Sequence, residues 1–358
     1  KRQETRRLLE VFAVAGRPMR AEEAYETIDE RTAGPGLLAQ LRTSNFVRTS
    51  EQGADTIVEP YHDRIRESVV DHLPVARVRG HYLKLALVIE QAGDASPDEV
   101  RAQIALTPAF GEPAPFCPLD HHRSQRVFDL ACFFDAAGKP ERAYPYALVA
   151  AEQASSQNAL GVAEQQFDIA RRGAHEADDA TRFRIAEGLG DVLVMGGRYE
   201  RANQQFQIAR SLATDQATLA RIDGKRGFVS FKQGDMGNSV ASFERALKEL
   251  GNPTPSNSVM QLFALSKEVL VQVLHTYLPS WKGRRSPDTD QGRLDLFRGR
   301  LCDGLGYSYW FTQGPIPTLW THLRHMNLAE RYPPSLELGR AYAMHAITMT
   351  SIPLSERG

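Results

Sequence analysis

His121-His122 and the pair His322/His325, three residues apart, are the groups in this chain whose types and spacing most suggest metal chemistry. Imidazole binds zinc through a ring nitrogen, but a site needs three or four protein ligands. No Cys or carboxylate recurs beside either pair at ligand spacing, so both are expected to be surface histidines and no metal is assigned. Cys117, Cys132 and Cys302 are odd in number and far apart. They imply reduced, buried thiols in a cytoplasmic protein, not a disulfide framework or a zinc site. Phosphate chemistry needs a glycine-rich loop, and Gly138-Lys139-Pro140 and Gly224-Lys225-Arg226 lack both the leading glycine spacing and the Ser/Thr. Gly304-Leu305-Gly306 lacks the third glycine of a dinucleotide loop and lies in a helical pattern, where packing explains it better. The motifs of a protein kinase are missing. The expectation is a chain that is not an enzyme, without catalytic residues and without a cofactor of its own.

The elements that position these residues are mostly helices. Leu189 to Ala209 resembles one tetratricopeptide repeat, which is a helix, a tight turn and a second helix. Leu189, Gly190 and Leu193 share a face of the first helix. Gly190 lets the second helix approach closely, and Gly196-Gly197 ends the first helix where positive φ is needed. Tyr199, Ala202, Phe206 and Ala209 then alternate large and small at helical spacing. Gly234, Met236, Ser239, Phe243 and Ala246 repeat that pattern, with a short insertion expected near Ala213-Ala217. Ala131 to Ala150, Ala159 to Ala170 and Leu305 to Gly314 fit the same template, with Thr318-Arg331 as a second helix. Such pairs cannot bury their apolar stripes alone, so they stack. The fold class expected is all-α dominated: an α-solenoid of tetratricopeptide-like helix pairs, a right-handed stack over residues 119–358, with a loop insertion near 279–292.

Residues 1–74 do not follow the repeat. Helices are expected at Thr5-Ala15, Arg20-Thr27 and Pro35-Leu41, then short strands at Phe46-Val47 and Ile57-Val58 joined by a turn at Gln52-Asp55. Three helices and a hairpin is the order of a winged helix, followed here by a helix over Tyr61-Leu73. A winged helix often reads DNA, but residues 1–80 hold 13 Lys/Arg against 13 Asp/Glu. The helix that would enter a groove, Pro35-Asn45, carries only Arg42. DNA readers need several cations to displace counterions, so a winged helix that packs on protein is the better reading. A DNA-binding regulator with a repeat arm, or a plain repeat scaffold, remains the alternative.

Residues 75–118 read as a helical connector, with Val78, Tyr82, Leu85 and Ile89 in register, and then a linker over Thr107-Pro118 broken by four prolines. Lys282, Arg284 and Arg285 beside Trp281 form a basic cluster, either a site for an acidic partner or a solvated loop. The net charge of -1 gives no electrostatic reason for nucleic acid or an anionic membrane. No apolar run approaches the roughly 20 residues of a span. The chain starts at Lys1 inside an amphipathic helix and ends just after Leu336-Thr350, a first helix without a second. It is read as a fragment of a larger protein, truncated at its C-terminus.

Tyr61-His62-Asp63-Arg64-Ile65-Arg66-Glu67, directly after the expected wing, resembles the winged-helix segment of signal transduction ATPases with numerous domains. The opening Leu8-Pro18 and the stretch Leu323-Glu330 add to the resemblance. The branch it is similar to joins a serine/threonine kinase domain, an AAA-type ATPase module, a winged helix and repeats in one bacterial signalling protein. The resemblance implies that ATP or ADP with Mg binds an upstream module, and that a His-Asp pair contacts the phosphate of ADP. Carried over, that pair is His62-Asp63. Imidazole donates a hydrogen bond to phosphate, and a helix start favours anions. The plainer alternative has Asp63 complementing the helix dipole and His62 on the surface. In the repeats, a protein or peptide ligand is expected on the concave face lined by the first helices. Arg184, Glu187, Asp191, Lys225, Ser230, Asp303 and Tyr307 are the candidates there, as residues not used in packing.

Overall fold

A computed structural model describes residues 2–29, 34–53, 55–92, 100, 121–278 and 282–350. The proline-rich stretch 107–118, Cys117 and Trp281 lie outside them. The chain divides into two compact units, one reaching Thr181 and one running from Arg182, with the division in the first turn of a helix.

The first unit opens with α1 (Arg2–Ala15), β1 (Met19–Arg20), α2 (Ala21–Thr27), α3 (Gly34–Thr43), β2 (Val47–Gln52), β3 (Asp55–Pro60) and α4 (Asp63–Asp71). Leu8, Val11 and Phe12 of α1 and Leu37, Leu38 and Leu41 of α3 supply the buried apolar stripe. The three strands form one antiparallel sheet in the order β1-β3-β2. The hairpin is the expected one, longer than its apolar dipeptides suggested, with Gly53 at φ +64° in the turn. Sequence reading missed β1, which pairs Met19 with Val58 and Arg20 with Ile57.

The expected boundary at 118/119 is not where compactness divides. α5 (Val75–Gln91), α6 (His121–Ala136), α7 (Pro140–Ser156) and α8 (Leu160–Gly173) belong to the same unit as residues 1–74. Buried charge is the reason. Glu10 of α1, nearly inaccessible, meets Arg6 at 3.0 Å, Arg77 at 2.9 Å and His81 at 3.2 Å. Glu23 of α2 meets Arg126 of α6 at 2.6 Å. A buried carboxylate without its cation costs several kcal/mol, so these pairs hold α5 and α6 to the opening elements.

The second unit holds the rest of α9 (Asp179–Met195), then α10 (Tyr199–Leu212), α11 (Gln216–Lys232), α12 (Met236–Glu249), α13 (Ser258–Tyr277), α14 (Asp290–Thr312), α15 (Pro315–Ala329) and α16 (Leu336–Thr350). The chain is therefore dominated by helix, and among the described residues its strands are confined to 19–60. The helix pairs have the anticipated construction. Gly138, Gly197, Gly234 and Gly314 all turn with φ between +71° and +84°. A Cβ on Gly190 would stand 2.4 Å from the Phe206 ring, and one on Gly227 would stand 2.9 Å from Phe243, so each glycine admits the aromatic of the following helix. The basic loop after α13 is bound inward: Lys282 pairs with Glu330 at 2.8 Å and Arg285 approaches Asp295 at 3.6 Å. Two of its three cations are thus engaged within the chain, which removes most of the case for an acidic partner there.

Candidate functional site

The first candidate is a polar cleft of about 280 Å³ in the first unit, at the start of α4. Gly16-Arg17-Pro18, Arg48, Glu59 to Asp63 and Arg66 line it. The turn after α1, the two hairpin strands and the first turns of α4 therefore converge here. Both residues singled out by the sequence, His62 and Asp63, are on its wall and exposed. His62 has extended backbone and occupies the N-cap of α4, but its side chain makes no capping hydrogen bond. Its ring stands edge-on to Tyr61 at 4.8 Å. The imidazole thus stands at a helix start, where the dipole favours an anion, without being used to cap it.

Three arginines that sequence reading did not single out share the cleft. Arg17 binds Asp129 of α6 at 2.5 Å and lies over the Phe133 ring. Burial pushes the Asp129 carboxyl up to about 7, with the Arg17 guanidinium opposing the shift. Arg48 pairs with Glu59 at 2.7 Å. Arg66 lies over Gly16, close enough that a Cβ there would be 3.7 Å from its Nη1. Among the described residues no carboxylate lies within ion-pair distance of Arg66. It stands one helical turn after His62, and that spacing was the available signal. The cleft can therefore hold an anion between a helix start, His62 and an uncommitted guanidinium.

The second candidate is in the second unit. Glu187 and Asp191, one turn apart on α9, receive Lys225 Nζ of α11 at 2.8 and 2.6 Å. Arg221 joins Glu187 at 2.9 Å. Desolvation raises the Asp191 carboxyl above its usual range, while Lys225 opposes it. Lys225 also lies over the Phe206 ring, and Arg221 over Phe183.

The premise that the seven chosen residues are unused in packing fails for several of them. Ser230 and Glu187 are buried. Lys225 and Asp191 satisfy each other, Arg184 is half-buried with interactions of its own, and Asp303 stands 3.6 Å from His325. α11 is packed on more than one side, so a polar letter on it does not mark an open surface. Tyr307 remains exposed, with its hydroxyl 2.8 Å from Met344 Sδ and its ring 5.9 Å from that of Phe231. Phe228, Trp310 and Phe311 are exposed aromatics on the same two helices, α11 and α14.

His322 and His325 are not surface residues: both are buried, His325 against Gly299, where a Cβ would stand 3.2 Å from its ring. His322 Nε2 lies 3.0 Å from His345 Nδ1 with the rings stacked. No group of three potential metal ligands converges among the described residues. The outward residues of α3 are Pro35, Gly36, Ala39, Gln40, Arg42 and Thr43, a face with one cation. Among the described residues no helix is long and apolar enough to cross a membrane.

The histidine pair carries a pH dependence. Burial, then the neighbouring His345 and His325, pushes His322 down to about 4 from 6.5. Between these values the unfolded chain binds a proton that the native one does not, so stability rises with pH across that window. Unfolding free energy of the second unit is expected to fall by up to about 3 kcal/mol as pH drops from 6.5 to 4. Urea titrations at several pH values, read by tryptophan fluorescence, check this. An equally steep decline in His322→Gln would assign it to other groups.

No family model matches this sequence, and no curated protein matches it significantly. Among solved structures it is similar to a signal transduction ATPase with numerous domains with a tetratricopeptide repeat sensor, from Pyrococcus horikoshii. The TM-score is 0.32 and the identity 11%, over 99% of this chain and 64% of that one. The chain thus spans less than two thirds of that protein's length.

Proposed function

We propose that this chain is the non-catalytic regulatory arm of a signalling ATPase. The opening elements act as a winged helix whose cleft reads the phosphate end of a nucleotide, ADP in the resting state. The nucleotide and its Mg are held mainly by an AAA-type module elsewhere in a longer protein, which a serine/threonine kinase domain completes. The helix pairs take a protein or peptide ligand and bias that nucleotide state. The observation that carries the reading is the placement of His62, whose side chain makes no capping hydrogen bond, one turn from Arg66, which has no carboxylate partner among the described residues, at a helix N-terminus. That arrangement supplies a dipole, a neutral or cationic donor and a fixed cation to one anion. For the helix pairs, the exposed Tyr307, Trp310 and Phe311 support a polypeptide ligand, since aromatics dominate the energetic centres of such interfaces.

Two measurements test this. Pyrophosphate titrated into the chain is expected to shift the His62 ring resonances, and Arg66→Ala is expected to abolish the shift. In the longer protein, His62→Ala and Arg66→Ala are each expected to speed ADP release about tenfold, the loss of one charge-assisted hydrogen bond. Deleting residues 182–358 is expected to change release as well, because coupling requires both sites to favour one state. Unchanged release in all three variants leaves the arm a passive tether and sinks the switch.

A further inference from the structure

α13 is apolar on two faces. Ala264 and Leu265 enter the cores built by α12, α14 and α15. On the same side Glu268 binds Arg324 at 2.8 Å, and His275 meets Glu330 at 2.7 Å. Among the described residues the opposite face has no partner. Val259 is 80% exposed, Phe263 77%, Leu270 59% and Tyr277 80%, with Leu262, Val269 and Val273 exposed between them.

Their spacing is a heptad. Val259, Ser266 and Val273 recur every seven residues, as do Leu262, Val269 and Thr276, and again Phe263, Leu270 and Tyr277. Seven of these nine positions are apolar. A stripe of period 3.5 on a helix is the surface that another helix of the same period fills by knobs-into-holes packing.

We propose that the occupant is a second copy of this chain, with α13 lying along α13 of its partner about a twofold axis. Three observations favour a copy. The stripe is self-complementary, as an isologous contact requires. Its exposed apolar area is on the order of 800 Å², which exceeds the largest patch of most monomers and matches one side of a standard interface. Lys267 is the only charged residue among the exposed positions of α13, and it points off the seam, so pairing buries no charge and opposes no like charges at the contact. A helix lying on a membrane would need several cations flanking its apolar face, and one is present.

The test is the mass of the whole chain in solution, by sedimentation equilibrium from about 1 to 100 µM. Twice the monomer mass is expected within that range. Phe263→Glu/Leu270→Glu is expected to weaken association at least ~100-fold, as two charges in a helix seam should, with an unchanged helical spectrum because neither side chain enters the core. Lys267→Glu, off the seam, is expected to leave the dimer intact. A chain that stays monomeric at 100 µM, or a dimer indifferent to the double substitution, overturns the proposal, whether vesicles or another protein prove to cover the stripe. This outcome is independent of nucleotide release, which reads the cleft in the other unit.

Discussion

Asp223→Ala is expected to destabilise the second unit by about 3–5 kcal/mol, the usual cost of removing one partner from a buried ion cluster. Asp223 is fully buried in α11. Arg210 of α10 reaches its two carboxylate oxygens from Nε at 2.9 and 3.1 Å. Arg245 of α12 approaches at 3.4 Å, and Arg226 of α11 itself at 4.0 Å. One carboxylate thus ties three successive helices. Removing it leaves three cations that are only partly exposed, with 20 to 39% of each side chain accessible, so none regains full hydration without moving its helix. Arg245→Ala is the contrast. It deletes the most exposed of the three, and Arg210 still covers the carboxylate, so the loss should stay within about 1 kcal/mol. All three tryptophans come after Arg182 in the sequence, so urea unfolding followed by their fluorescence reports on the second unit. A loss below about 1 kcal/mol for Asp223→Ala would mean that the arginines turn to water and that the cluster is incidental.

Asp223 also marks where reading the sequence stops. Helices and turns were legible because they are local: glycine at the turn, alternation of Ala with aromatics, and the 37-residue recurrence of Phe206 at Phe243 are all written within short windows. The strand Met19–Arg20 was not, since two residues have no periodicity and become a strand only by pairing with Val58 and Ile57. The compactness division at Thr181/Arg182 was not legible for a related reason. Prolines flag a break in helix, but Arg126 with Glu23 and Arg17 with Asp129 decide what packs together, and those partners are over a hundred residues apart. The cleft was half legible. His62 and Asp63 sit in one motif, and Arg66 follows in it, whereas Arg17 and Arg48 come from separate turns and strands. In the helix pairs the error was systematic. Ser230 and Glu187 are polar, and polarity was equated with exposure, yet a helix packed on more than one side buries polar residues too.

Gly190→Ala is expected to cost about 2 kcal/mol, although alanine in a helix is ordinarily worth close to 1 kcal/mol over glycine. The new Cβ would stand 2.4 Å from Cε1 and 2.7 Å from Cδ1 of Phe206. Phe206 is fully buried, so its ring cannot swing aside without shifting α10 against α9. Phe206→Ala alone should cost about 3–5 kcal/mol through lost burial and the cavity left behind. Combined, the two changes should cost at least ~1 kcal/mol less than their sum, because the shortened side chain vacates the space that Cβ needs and returns the helix propensity. The same cycle at Gly227 and Phe243 should couple more strongly. Phe243 fills a second glycine notch at Gly304, where a Cβ would stand 2.6 Å from its ring, so a displaced ring disturbs α14 as well. Gly197→Ala is the control. Its φ of +71° penalises alanine by about 1–2 kcal/mol, but no atom lies within 4 Å of its Cβ position, so its cost should add to that of Phe206→Ala without coupling. Additivity within about 0.5 kcal/mol at Gly190 as well would show that the glycine and the aromatic do not form one lock, and that the helix pairs owe their spacing to the rest of the apolar stripe.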